Sequence, residues 1–286
     1  MTKLKHGREL RVDRNISPDL YMKLVDLFHD KGWDIQLEDY GIFERYVRTM
    51  GSLETDQQKK LLLELSKKFI HITQCQYMDY IPALVSAIIK DYPNRILCYA
   101  CCLPEEDIGK IKSSASVLYQ IKGTTLKTRV DLRGVKYYCK DSIKEYSPYE
   151  IANDDHLLIL VDDFIGTGET ALGAVDYVKK IFPEMLNSNI VVLAIAGMQQ
   201  GVEELERHQI KVYSAIALKR GISDYYIEQD LENALEIMHQ IEGHIKVKPQ
   251  FLLGYKQSEG LISMERCPNN TFPIYWLKKN DAPYER

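Results

Sequence analysis

No run of apolar residues in this chain is long enough to cross a membrane. The longest, LLILV at 157–161 and IVVLAIAGM at 190–198, have strand length, against roughly 20 residues for a spanning helix, so no membrane partner is expected. Glycine and proline are sparse, at 16 and 10 of 286 residues, which argues against collagen-like or long disordered architectures. An excess of one charge is also missing. Lys and Arg number 37 against 41 Asp and Glu, a net charge of −4, so no global field draws the chain to nucleic acid or to an anionic surface. The N-terminal stretch MTKLKHGRELRVDRN has no apolar h-region, and a secretory signal is not expected. Of the six cysteines, four lie in apolar strand-like runs, where a free thiol behaves as a small hydrophobe. Reduced thiols and a cytoplasmic location are expected. Cys98 and Cys101 have C-x-x-C spacing, but strand alternation sends them to opposite faces, against zinc or redox use. What is present, 45% hydrophobic and 27% charged residues, is the composition of a soluble globular protein long enough to bury a full core.

From Pro18 to about Lys90 the apolar spacing is helical. Leu20, Leu24, Leu27 and Phe28 share one face, and Leu61, Leu62, Leu65, Phe69 and Ile70 another. Ser17-Pro18 reads as an N-cap followed by a first-turn proline. No strand is expected here, and residues 1–91 read as a helical N-terminal unit. After Tyr92-Pro93-Asn94 the pattern changes to five short runs rich in Ile, Val, Leu and Cys, at 95–103, 132–139, 156–163, 189–196 and 211–218. Helical stretches at 113–121, 169–182, 199–208 and 224–242 separate most of them. Strands apolar on both faces, alternating with helices, predict an α/β fold over 92–243: a parallel five-stranded sheet flanked by helices. The tail, 244–286, has turn residues between KVKPQFLLGY, GLISME and CPNNTFPIYW, and short strands or extended segments are expected there.

The segment His156–Thr170, HLLILVDDFIGTGET, carries the chemistry. A buried strand ends in Asp162 and Asp163, at the edge where open α/β sheets bind ligands. Gly166, Thr167, Gly168, Glu169 and Thr170 then open an amphipathic helix. Unpaired backbone N–H groups and the positive end of the helix dipole attract phosphate there. The glycines allow close approach of the backbone, and the threonines add hydroxyls. Adjacent carboxylates are poor phosphate ligands but suit sugar hydroxyls or a divalent cation. A Rossmann fingerprint is nominally met by Gly166, Gly168 and Ala171, yet two aspartates precede the first glycine and the next strand does not end in an acid. A P-loop is excluded because no G-K-[ST] follows. A plain glycine-bearing strand–helix turn is the remaining structural alternative.

The run of apolar residues, two acids, two apolar residues and Gly-Thr-Gly-Glu-Thr closely resembles the phosphoribosyl-diphosphate signature of type I phosphoribosyltransferases. The resemblance implies that residues 167–170 wrap a ribose 5-phosphate and that Asp162 and Asp163 hold the ribose 2- and 3-hydroxyls. It also implies phosphoribosyl diphosphate or a nucleotide as ligand, with Mg²⁺ bound mainly through the diphosphate and not by protein ligands alone. The family's diphosphate loop falls at 104–114, where Lys110, Lys112, Ser113 and Ser114 are the candidate donors. Between 109 and 140 eight Lys or Arg face one acid, Asp131, which fits a polyphosphate, a nucleic-acid backbone or a solvated basic face. The lid typical of such enzymes has candidates at 122–131 and 140–155, neither with the usual hairpin form, and regulatory members of the fold keep the aspartates without transferring anything.

The tail motif at 267–273, with Trp276, resembles that of a divergent phosphoribosyltransferase-like group of bacterial conflict and defence islands, some beside reverse transcriptases. By this resemblance 244–286 is a small C-terminal hood. Asn269 and Asn270 would read a base or acceptor, and Tyr255 or Trp276 would stack on it. A turn at 269–271 and a core position for Trp276 are the alternative. Two functions stay open: an enzyme acting on a phosphoribosyl group, and a nucleotide- or nucleic-acid-sensing module that engages a protein partner through the N-terminal helices.

Overall fold

The computed structural model describes residues 16–35, 41–110, 112–123, 132, 134–151, 155–278 and 282–286. Most of the lid candidate 122–131, residues 152–154 of the other, and part of the basic region 109–140 lie outside the described residues.

Helix α1 (Pro18–Lys31) begins as its sequence predicts: the Ser17 hydroxyl accepts from Leu20 N at 3.2 Å, Pro18 fills the first turn, and Gly32 closes the helix in the left-handed region. Helix α2 (Ile42–Ser52) follows, and α3 (Asp56–Lys68) starts with a capping box between Thr55 and Gln58. These helices pack around Phe28, Phe43 and Tyr46, with edge-to-face ring pairs 5.0–5.3 Å apart, each worth about 0.5–1.5 kcal/mol beyond its buried area. The same core takes in Met238 and Ile241 of a late helix and Phe272, Tyr275, Trp276 and Tyr284 of the tail.

No strand is expected before residue 92, yet Ile70–His71 forms strand β1 and pairs in parallel with Ile262–Ser263. A two-residue strand has no periodicity of its own. It exists because Ile70 N donates to Leu261 O at 3.0 Å and Ile72 N to Ser263 O at 2.8 Å.

The central sheet contains β2 (Ile96–Cys101), β3 (Tyr137–Cys139), β4 (His156–Ile165), β5 (Ile190–Met198) and β6 (Lys211–Leu218). All pairings are parallel, in the order β3-β2-β4-β5-β6. The α/β class and the five-stranded parallel sheet are therefore as the sequence predicts. Alternate residues of β2, β4 and β5 enter two separate cores. Tyr99, Ile159, Val161 and Leu193 face α4 (Tyr77–Asp91) and α5 (Ser114–Lys122). Cys98, Leu158, Leu160 and Val192 face α6 (Glu169–Ile181), and the same core includes Leu205 of α7 (Gln199–Arg207). Burial on both faces is why the inner strands β2, β4 and β5 read as continuous apolar runs, while the edge strands β3 and β6 are partly exposed. Cys98 and Cys101 indeed lie on opposite faces, and burial pushes their thiols up to about 12 and about 11. Helix α8 (Glu228–His244) leads into the tail, whose only strand among the described residues is β7 (Ile262–Ser263). The rest is turns and short 3-10 segments, such as Pro249–Phe251 and Pro273–Tyr275.

Candidate functional site

From β2 the chain steps outward to β3 and returns on the other side of β2 as β4. Loops leaving the carboxyl ends of β2 and β4 therefore diverge and leave a crevice between them. A cavity of about 500 Å³ opens there.

Strand β4 continues two residues beyond its expected end at 163, because Phe164 and Ile165 pair with Ala196 and Gly197 of β5. Asp162 and Asp163 are thus set in a rigid ladder and not on a free loop. Asp163 is 4% exposed, and Tyr77 of α4 donates its hydroxyl to Asp163 Oδ2 at 3.2 Å. Asp162 is half-buried; its Oδ1 accepts from Asp163 N at 2.9 Å and from Ser113 Oγ at 3.5 Å. Burial, and then the Asp163 carboxylate beside it, pushes Asp162 well above the usual carboxylate range. Burial and the Asp163 charge likewise raise the Tyr77 phenol, which stays protonated and able to donate.

Gly168 caps α6 with φ +86° and no side chain caps the helix. The first-turn N–H groups of α6 are therefore available to an anion. Gly166 has the tail against it: a Cβ there would stand 2.2 Å from Asn270 Oδ1. Glu169 is also held by the tail. It forms an ion pair with Lys256, accepts from Tyr255 Oη at 3.2 Å and from Thr167 Oγ1 at 3.3 Å, and the Lys256 contact holds its carboxyl below the usual range. Residues 166–170 all line the cavity.

Of the donors expected after β2, Lys112 and Ser113 line the cavity; Lys110 and Ser114 do not. Ser114 is buried at the start of α5. Lys110 and Lys112 both pair with Asp107, each at 2.8 Å, a clasp made possible by the acids of the same loop. The other candidate lid segment, 140–155, forms a 3-10 turn at Ile143–Glu145 and a single helical turn at Pro148–Ile151.

The tail forms the facing wall. Asn269, Asn270 and Tyr255 line the cavity, and Asn270 Nδ2 donates to Ser258 Oγ at 2.9 Å. Trp276 is not brought there. It is buried, its Nε1–H donates to Thr271 O at 2.7 Å, and its ring stands edge-on to Phe251 at 5.4 Å. Sequence reasoning missed Arg266 and Arg286, which also line the cavity. The one available signal was Arg266 standing directly before the Cys267-Pro268-Asn269-Asn270 motif; isolated Arg286 had none.

A parallel sheet with its switch point between β2 and β4, paired aspartates on the central strand and an uncapped glycine turn define an α/β protein of the phosphoribosyltransferase kind. More particularly, the chain belongs to the PRTase-CE family, whose model matches residues 52–286. Among solved structures it is similar to the APRTase of Giardia lamblia complexed with 9-deazaadenine, at 17% identity over 49% of this chain and 78% of that one, with a TM-score of 0.32. It is also similar to the orotate phosphoribosyltransferase of Mycobacterium tuberculosis in complex with inorganic phosphate, at 14% identity over 63% of this chain and 81% of that one, with a TM-score of 0.30. No curated protein matches. Among the described residues no helix is long and apolar enough to cross a membrane.

Proposed function

We propose that the cavity binds 5-phosphoribosyl diphosphate or a related nucleotide and transfers or cleaves its phosphoribosyl group. The observation that carries this reading is the juxtaposition of the Asp162–Asp163 pair, locked in β4, with the uncapped start of α6 in one cavity. The phosphate would take the N–H groups and hydroxyls of 166–170, and the diol would donate to the aspartates. Hydrogen bonds to charged acceptors are worth about 1.5–3 kcal/mol each.

Among the described residues no group of three or more His, Cys, Asp or Glu side chains is placed to hold a metal ion. Two adjacent carboxylates facing a polar cavity still fit a Mg²⁺ whose other ligands are water and the substrate's phosphate oxygens. Asp162 and Asp163 would hold it, directly or through water, and bound Mg²⁺ would neutralise charge on the departing diphosphate. The chain's own part is to orient the sugar: an immobile aspartate pair on one side and a fixed phosphate cradle on the other hold C1 for displacement. Negative charge from the pair also lies where an oxocarbenium-like ring would develop positive charge. Asn269, Asn270 and Tyr255 would face the acceptor or base.

A second reading is binding without turnover, favoured by the Asp107 clasp that occupies both loop lysines. In that reading a nucleotide, or a nucleic acid bound with help from the basic 109–140 region, is sensed, and a protein partner is engaged through the N-terminal helices. A place in bacterial defence belongs to the proposal on the resemblance of the tail motif alone, and the genes beside this one test it; a cytoplasmic location belongs to it on the cysteines read as reduced thiols. The function itself is tested by calorimetry with phosphoribosyl diphosphate and Mg²⁺ on the wild type and on Asp162→Asn/Asp163→Asn. Binding lost or weakened at least about a hundredfold in the double variant is expected. Equal affinity in both, or none in the wild type, sinks the site. Diphosphate release by the bound wild type separates the enzyme from the sensor.

A further inference from the structure

The loop that should supply positive charge to a diphosphate has little to give. Residues 104–114 contain Glu105, Glu106 and Asp107 against Lys110 and Lys112. Both lysines are paired with Asp107, and Glu105 is paired with Lys180 of α6. A diphosphate placed against this loop meets cations already neutralised by their own segment.

The opposite wall has the reverse imbalance. Arg266 and Arg286 both line the cavity, and among the described residues neither has a carboxylate within ion-pair distance. Arg286 Nη1 donates to the carbonyl of Cys267, at 3.4 Å. Burial and the neighbouring Arg266 charge both act against the Arg286 cation. Both guanidiniums line one cavity and the Arg266 charge acts on Arg286; with no carboxylate paired to either among the described residues, a bound anion would relieve that repulsion. Their position also suits the task. Glu265, next to Arg266, accepts from Ser116 Oγ at 3.2 Å, which ties this stretch of tail to α5, the helix that leaves the β2 loop. The phosphate cradle of 166–170 belongs to the β4 loop. Asp162 and Asp163 stand on β4, with Ser113 of the β2 loop reaching Asp162. Cradle, aspartate pair and arginines all line one cavity, which suits a ligand with an anion at each end and hydroxyls between them.

We propose that Arg266 and Arg286 of the tail, and not the lysines of the 104–114 loop, receive the second anionic group of the ligand, the diphosphate of a phosphoribosyl donor. This rests on the reading of the cavity given above and names the residues that would set its preference for a donor over a simple sugar phosphate. Guanidiniums keep their charge at any working pH and bind phosphate oxygens in pairs, so the diphosphate is stabilised without a proton transfer. The tail then contributes to the leaving-group side of the site as well as to the acceptor side.

The test is calorimetry on the full chain with Mg²⁺, using phosphoribosyl diphosphate and ribose 5-phosphate as probes, on the wild type, Arg266→Gln, Arg286→Gln and Arg266→Lys. Wild type should bind the diphosphate donor more tightly. Each Arg→Gln change should cost that donor about tenfold or more in affinity and leave ribose 5-phosphate within about twofold, which also controls for folding; Arg266→Lys should recover part of the loss. Unchanged donor affinity in both Gln variants overturns the proposal, and so does an equal loss for the two probes. A wild type that binds ribose 5-phosphate no less tightly than the donor overturns it while leaving the phosphate cradle intact. A wild type that binds neither probe overturns the cavity assignment as well.

Discussion

Asn270 lies against Gly166: a Cβ on the glycine would stand 2.2 Å from the amide Oδ1 and 2.4 Å from Cγ. The amide cannot easily give way, since Nδ2 is bonded to Ser258 Oγ at 2.9 Å and the residue is 7% exposed. The glycine turn after β4 and the tail wall are therefore fitted to each other. Gly166→Ala should lower stability by about 1–3 kcal/mol, the usual cost of overpacking, and weaken phosphate binding. Adding Asn270→Ala should recover part of the stability loss. Denaturant unfolding of the two single variants and the double variant checks this, and strict additivity would deny the contact.

On the proposed function, Asp162 should make stability and binding pull in opposite directions. Its carboxyl is raised in the folded protein by burial and by Asp163. For a raised acid the stabilising contribution is complete below the unfolded value of about 3.9 and is lost as pH climbs towards the folded value. Asp162→Asn should therefore melt higher than the wild type at pH 8, with a smaller difference at pH 4, while binding the donor less tightly. Thermal unfolding at the two pH values decides it; a variant that melts lower at pH 8 would mean that the charged carboxylate is fully compensated.

Glu242 of α8 is completely buried, and burial together with the nearby Glu259 charge pushes its carboxyl up to about 7. Oε1 accepts from Leu253 N at 2.8 Å, while Oε2 has no hydrogen-bond partner, with His239 Nδ1 at 3.8 Å. Stability is highest with the acid neutral and falls as pH rises from about 4.5 to about 7, by an amount on the order of 3 kcal/mol. Glu242→Gln keeps the acceptor for Leu253 and should flatten this dependence, raising the melting temperature at pH 8. A wild-type melting temperature that does not fall over this window rejects the assignment.

Trp276 should act through packing alone. Trp276→Phe removes its bond to Thr271 O and some core volume, at a cost of about 1–3 kcal/mol. Donor affinity should be unchanged once the variant is folded. A tenfold loss of affinity in calorimetry would return Trp276 to the binding wall.

The central sheet was legible because its inner strands β2, β4 and β5 are buried on both faces, so their apolar runs stand out from the helices between them. The aspartate pair and glycine turn were legible because a contiguous segment carries both. Long-range relationships were not. The β1–β7 pair spans two residues on each side and is defined only by its partner. Arg286 belongs to no local pattern, and Arg266, although it directly precedes the tail motif, joins it at the cavity only through the fold of the tail. Lys110 looked available because a sequence shows the charge of Asp107 but not its clasp. Trp276 drew attention through the density of polar and aromatic residues around it, yet its indole N–H is satisfied inside the core.

The parallel pairing of Ile70–His71 with Ile262–Ser263 has a consequence for the order in which the molecule is made. Helices emerging first from a ribosome cannot complete their core, because Phe272, Tyr275 and Trp276 are synthesised long after α1–α3. The sheet, whose neighbours are closer along the chain, can consolidate earlier. Closure of the late segment over the early one then finishes two things together, the N-terminal core and the wall opposite the aspartates. The cavity would then be closed only after the sheet has consolidated, and any ligand bound there would favour that closure by mass action.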